Sequence, residues 1–94
     1  MSDDYTIGFI GGGNMAGAIV RGLVAAGVAG RRIAVAEPAE ATRAALATAL
    51  PGATLGADNA AVARFADVLV LAVKPQVLAD VATALAPARR AGQL

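Results

Sequence analysis

The sequence predicts an α/β fold, a parallel sheet with helices on both faces, and three observations predict it. Short β-branched runs alternate with longer alanine-rich segments along the whole chain. A glycine-rich turn joins the first run to the first of those segments. The run Val68 to Ala72 is continuous and apolar, as a parallel strand covered on both faces should be.

The elements follow in order. Thr6 to Ile10 reads as a buried strand broken by a glycine. Asn14 to Ala26 reads as a helix, because Met15, Ile19, Val20, Leu23 and Val24 recur at spacings of three and four. Gly27 stands where helices stop. Ile33 to Ala36 is the second strand. Pro38 is expected in the first turn of the next helix, which runs to about Leu50 and is closed by Pro51-Gly52. A weak third strand lies around Ala53 to Leu55. Asn59 is read as the N-cap of a short helix ending near Phe65. Val68 to Ala72 is the fourth strand, and Val77 to Leu85 the last helix. In this alternation Ala91-Gly92-Gln93 is a loop that leads towards a fifth strand. The expected fold is therefore truncated before the fifth strand, with the first half of a doubly wound sheet and the opening of its second half.

Composition narrows the function classes. The chain has 94 residues, enough for one small domain. It is 57% hydrophobic and 16% charged, which favours a folded chain. Alanine accounts for 26 of the residues, so the core is rich in helix formers but thin in volume. A net charge of +1 and 3% aromatic residues give no footprint for nucleic acid or a membrane surface, and neither partner is expected. With no cysteine and no histidine, a disulfide framework, the common zinc sites and Cys-His or Ser-His nucleophile pairs are excluded, and no metal is expected. The acidic opening MSDDYT is unlike a secretory signal. The longest apolar run, Val68 to Val73, has six residues and is too short for a membrane span. A cytoplasmic protein is the expectation.

The most informative segment is Ile7 to Gly17, IGFIGGGNMAG. It holds G-x-G-x-x-A at Gly11, Gly13 and Ala16, directly after a strand and directly before a helix. Gly11 permits the tight turn, Gly13 lets backbone approach a pyrophosphate, and Ala16 is small enough for helix and strand to pack. Free N–H groups at the helix start, Asn14 and Met15, attract phosphate. This spacing in this context is that of a Rossmann-type dinucleotide-binding domain, with NADP(H) or NAD(H) as cofactor.

The acid expected about 20 residues beyond such a motif is Glu37. At the end of the second strand it either accepts hydrogen bonds from a ribose 2′-hydroxyl, repelling a 2′-phosphate, or is a solvated helix-start residue. Arg43 either offsets that repulsion or, as an exposed helix residue, is solubilising. Lys74-Pro75 follows the fourth strand at the carboxyl edge, where ligands bind in this architecture. It is equally consistent with an ordinary loop.

At FIGGGNMA and LAVKPQ the sequence resembles the pyrroline-5-carboxylate reductases, enzymes of the last step of proline biosynthesis. Phe9 to Ala16 looks like that family's opening signature, Asp58-Asn59 is similar to its Ser-Asn, and Ala72-Val73-Lys74-Pro75 matches its A-V-K-P loop. Related hydroxyacid dehydrogenases share the first signature but do not usually carry that loop. The resemblance implies cofactor contacts at Ile10, Gly11, Gly12, Gly13, Asn14, Met15, Glu37, Asn59, Ala72, Val73, Lys74 and Pro75. It also implies NAD(P)H-dependent reduction of 1-pyrroline-5-carboxylate, a small molecule, to L-proline by the full enzyme. Glu37 stands where members often have a small polar residue, which leaves NADH usable. The family's C-terminal helical domain, which dimerises the enzyme into a homo-oligomer and supplies most of the substrate pocket, has no counterpart in these residues. No catalytic residue can be assigned, and the 94 residues alone are expected to be inactive. The alternatives are a non-catalytic dinucleotide-binding module and a fragment of a hydroxyacid dehydrogenase.

Overall fold

Two strands of four residues decide how the layers pack. In β1 (Ile7–Ile10) and β2 (Ile33–Ala36), IGFI and IAVA, successive side chains point to opposite faces. Phe9, Ile33 and Val35 are buried on one face with Ala16, Val20, Leu46 and Leu50. Ile10, Ala34 and Ala36 are buried on the other with Val62, Ala63 and Leu85. The first cluster is covered by α1 (Asn14–Ala25) and α2 (Glu40–Ala49), the second by α3 (Asn59–Phe65) and α4 (Pro75–Leu85). The structure, a computed structural model, describes residues 5–11, 14–73, 75–88 and 92–94, with residues 14, 15 and 75–77 described by their backbone alone.

The sheet has the order β3-β2-β1-β4, where β3 is Thr54–Gly56 and β4 is Val68–Leu71. All three pairings are parallel, and Ile7 stands opposite both Ile33 and Val68. Parallel pairing with helices on both faces is the architecture the alternation predicts. The order reverses between β1 and β4, and the crevice outside the carboxyl ends of these two strands is where open α/β sheets bind ligands.

Several boundaries differ from expectation for local reasons. Pro38 lies before helix α2, which starts at Glu40 after Ala39 in extended conformation. Strand β3 is displaced by one residue, since Ala34 and Ala36 pair with Thr54 and Gly56. The cap of α3 is Asp58, whose carboxylate accepts the backbone N–H of Ala60 at 3.0 Å, so Asn59 is the first residue of the helix and not its cap. Helix α4 begins at Pro75, where proline's missing N–H costs nothing. Helix α1 ends as expected: Gly27 N–H donates to Val24 O and Val28 N–H to Leu23 O, both at 3.0 Å.

Beyond β4 the chain returns to the sheet. Leu94 N–H donates to Asp67 O at 3.0 Å and accepts at its own carbonyl the N–H of Leu69 at 2.8 Å. Those two bonds straddle Val68 as a parallel partner would. Gln93 is buried beside them, its side-chain nitrogen donating to Ala63 O and Ala66 O at the end of α3. Leu94 thus takes a parallel partner's place beside Val68, outside the four-stranded sheet.

Candidate functional site

The site is built where four strands end. Past its last residue the ladder continues: Gly11 N–H donates to Ala36 O at 2.8 Å, Ala72 N–H to Ile10 O at 2.8 Å, and Glu37 N–H to Gly56 O at 2.7 Å. These bonds align Ile10, Gly11, Glu37 and Ala72 along one carboxyl edge. Ile10 contributes only as a fixed strand end, because its side chain is 1% exposed in the core and its carbonyl is taken.

Gly11 is the turn's pivot. Its φ is +94°, and a Cβ there would lie 2.6 Å from Ala72 O and 3.4 Å from Val73 Cγ1. Only glycine combines that backbone conformation with that clearance. The turn therefore approaches the end of β4 as closely as two backbones can, at the strand-order reversal. Helix α1 begins at Asn14, so the N–H groups of its first turn are the helix's unsatisfied donors at this edge. Ala16, 1% exposed in the core, has the small-residue role that the motif assigns. Of the expected site, Gly12, Gly13 and Lys74 lie outside the described residues, as do the side chains of Asn14, Met15 and Pro75.

At the end of β2 two charged side chains bond to backbone groups. Glu37 Oε2 accepts the N–H of Ala39 at 2.7 Å, which turns the carboxylate towards the start of α2. Arg43 NH1 donates to Glu37 O at 2.7 Å and to Pro38 O at 3.0 Å. Arg43 is therefore not the free solubilising residue expected from its place on α2. A helical side chain leans towards the helix N-terminus, so a long cation in the second turn reaches back to the strand end. That lean was the signal that could have found it.

Asn59 sits at the carboxyl end of β3, half-buried, at the head of α3. With Asp58 doing the capping, the Asn59 side-chain amide has no partner among the described residues. Residues of three strand ends, then, surround a donor-rich helix start with one small-residue pivot. Such a surface can hold an extended anion-bearing ligand. Among the described residues no group of three or more His, Cys, Asp or Glu side chains is placed to hold a metal ion, and no helix is long and apolar enough to cross a membrane.

Comparison with known proteins gives this surface a context. The sequence profile of the family described as NADP oxidoreductase, coenzyme F420-dependent, matches residues 6–94. The pyrroline-5-carboxylate reductase of Vibrio alginolyticus is 49% identical over 75 residues, covering 80% of this chain and 27% of that protein. The one from Pisum sativum is 41% identical over 88 residues, covering 93% and 32%. Among solved structures, a pyrroline-5-carboxylate reductase from Coxiella burnetii superposes with a TM-score of 0.82 at 40% identity, over 87% of this chain and 30% of its own. Pyrroline carboxylate reductase from Plasmodium falciparum, solved with NADP bound, has a TM-score of 0.80 at 22% identity and covers 33% of its own length, a likeness of fold. The chain thus spans between 27% and 32% of the length of the curated relatives it matches.

Proposed function

The chain belongs to the family described as NADP oxidoreductase, coenzyme F420-dependent, and on that premise we propose that it is the cofactor-holding N-terminal domain of a pyrroline-5-carboxylate reductase. The observation that carries the reading is the glycine turn. Gly11 is pressed against Ala72 at the strand-order reversal, shortly before the start of α1, in a chain 41–49% identical to reductases of that name. NADP(H) or NAD(H) is the cofactor. The donors at Gly13, Asn14 and Met15 take the pyrophosphate, Glu37 and Asn59 face the adenosine side, and Ala72, Val73, Lys74 and Pro75 line the nicotinamide side.

When bound, the cofactor supplies a hydride to the C=N carbon of 1-pyrroline-5-carboxylate, giving L-proline. The residues of this chain bind and orient; none of them is assigned as the proton donor to the ring nitrogen. In the whole reductase the protein is a homo-oligomer acting on this small molecule in the cytoplasm.

Titration calorimetry with NADPH and NADH, on the protein and on Gly13→Val, tests the reading. Binding to the parent and none to the variant is expected, since a side chain at Gly13 fills the space that a pyrophosphate needs. Equal affinity in both would overturn it. Imine-dependent NADPH oxidation tests the reaction. For the 94 residues by themselves the expected result is binding without turnover, because hydride transfer needs cofactor and imine in near-attack contact and only one wall of that pocket is here.

A further inference from the structure

Strand β3 ends the sheet on one side, and its outer edge is open. In a parallel ladder the N–H and C=O of one residue point to the same side, and successive residues alternate. Glu37 N–H donates to Gly56 O, so Thr54 and Gly56 turn towards β2 and Leu55 turns outward. The N–H and C=O of Leu55 have no partner among the described residues. Nothing on the strand guards that edge, since Thr-Leu-Gly carries neither charge nor proline. Beside it, on the α3 face, lies an apolar groove of about 140 Å³ lined by Ala34, Thr54, Gly56, Ala61, Val62 and Phe65. A space of about 150 Å³ takes one benzene-sized group, so the groove has room for a single aliphatic side chain. Gly56 opens it, because a Cβ there would meet no atom within 4 Å. The two ends of the edge differ in charge. At the amino end stand two exposed arginines: Arg31, whose N lies 3.8 Å from the Cβ position of Gly52, and Arg64 in the last turn of α3. Neither guanidinium is bonded among the described residues. At the carboxyl end the exposed Asp58 lines the groove. One strand further in, Glu37 and Arg43 are of opposite sign, and each holds a backbone group.

We propose that the β3 edge is a docking site for an extended partner segment that runs parallel to it, acidic where it starts, aliphatic in the middle and basic where it ends. Leu55 N–H donates to the carbonyl of the partner residue before the one opposite it, and Leu55 C=O accepts the N–H of the residue after. That following residue lies level with Gly56. The alternation of a strand turns its side chain onto the α3 face, into the groove. Every pairing in the sheet is parallel, and a parallel partner begins beside Arg31 and Arg64 and ends beside Asp58. Backbone bonds and the filled groove supply the affinity, and the order of charges fixes direction and register. The inference stands apart from the dinucleotide reading.

The test uses two blocked, fluorescently labelled peptides, Glu-Glu-Thr-Val-Leu-Val-Lys-Lys and its charge-reversed twin Lys-Lys-Thr-Val-Leu-Val-Glu-Glu, with dilute protein and anisotropy as the readout. The first should bind the parent, and the second roughly tenfold more weakly at low salt. Arg31→Glu and Arg64→Glu should each weaken the first by about two- to fivefold, a difference that high salt removes. Gly56→Val fills the groove with a residue suited to a strand, so it should weaken binding by roughly tenfold or more without lowering the unfolding temperature. In the parent the first peptide should slow hydrogen exchange at the Leu55 amide, a readout that needs no variant. Absence of binding to the parent overturns the proposal, as does equal affinity for the two peptides or equal affinity of parent and Gly56→Val. Unchanged exchange at Leu55 with peptide bound places the contact on another surface and also overturns it.

Discussion

At Gly11 the absence of one methyl group lets the turn and the end of β4 occupy adjoining space. Gly11→Ala would place a carbon 2.6 Å from Ala72 O on a backbone at φ +94°. The left-handed conformation alone costs about 1–2 kcal/mol, and relief of the contact requires the turn to move off β4. Gly11→Ala is therefore expected to lower stability by at least that amount in urea unfolding and to abolish measurable NADPH binding. Unchanged affinity would mean that the turn does not shape the site. Asp58 and Asn59 divide labour one residue apart. Asp58→Ala should cost about 1 kcal/mol of stability through the lost cap and leave cofactor affinity within about twofold. Asn59→Ala should do the reverse, weakening cofactor binding by about 0.5–1.5 kcal/mol at unaltered stability. If stability falls with Asn59 and not with Asp58, the assignment of the cap is wrong.

Between elements, the contact of α3 with β1 depends on what is missing from the strand. A Cβ at Gly8 would lie 2.7 Å from Val62 Cγ1 and 2.8 Å from Ala66 Cβ. Together with Ala34 and Ala36 on the neighbouring strand, it gives α3 a shallow bed. Gly8→Ala is expected to cost about 1–3 kcal/mol by overpacking, read as a lowered urea midpoint at unchanged slope; an equal or higher midpoint would show that α3 yields freely. The sequence showed Gly8 only as a break in a strand, because periodicity reports an element's own faces and not which distant helix crosses it. For the same reason the elements and their order were legible, the glycine turn most of all, since its spacing, strand and helix are contiguous. The ends were less so. Pro38 is compatible with a helix start but the chain stays extended to Ala39, and of two adjacent capping residue types, Asp58 and Asn59, only the three-dimensional turn chooses one. The anchoring of Arg43 was not legible because its partners are backbone carbonyls, which have no signature in composition.

Across the whole molecule the two edges of the sheet are unequal, and the β4 edge is the one that bears on association between copies. In a parallel strand alternate residues bond to alternate sides. Val68 and Ala72 donate to Thr6 O, just before β1, and to Ile10 O at its end, so the N–H groups of Leu69 and Leu71 turn outward. Leu94 satisfies Leu69 N–H, while Leu71 N–H and C=O have no partner among the described residues. Beside them runs an apolar groove of about 180 Å³ lined by Leu69, Leu71, Ala82, Leu85, Gln93 and Leu94. One lining residue is the buried Gln93, whose Oε1 accepts no hydrogen bond among the described residues, a group whose desolvation costs about 1–3 kcal/mol unless a donor reaches it. Open strand polarity, apolar surface and an unsatisfied acceptor in one place favour pairing with another chain. The 94 residues are therefore expected to self-associate through this edge as concentration rises, seen as a concentration-dependent sedimentation coefficient. Leu71→Lys places a charge in the groove and should shift the equilibrium towards monomer, since lysine at a strand edge opposes edge-to-edge pairing. A parent that stays monomeric at the highest concentrations would remove the claim. Equal association of parent and Leu71→Lys would move the interface to another face.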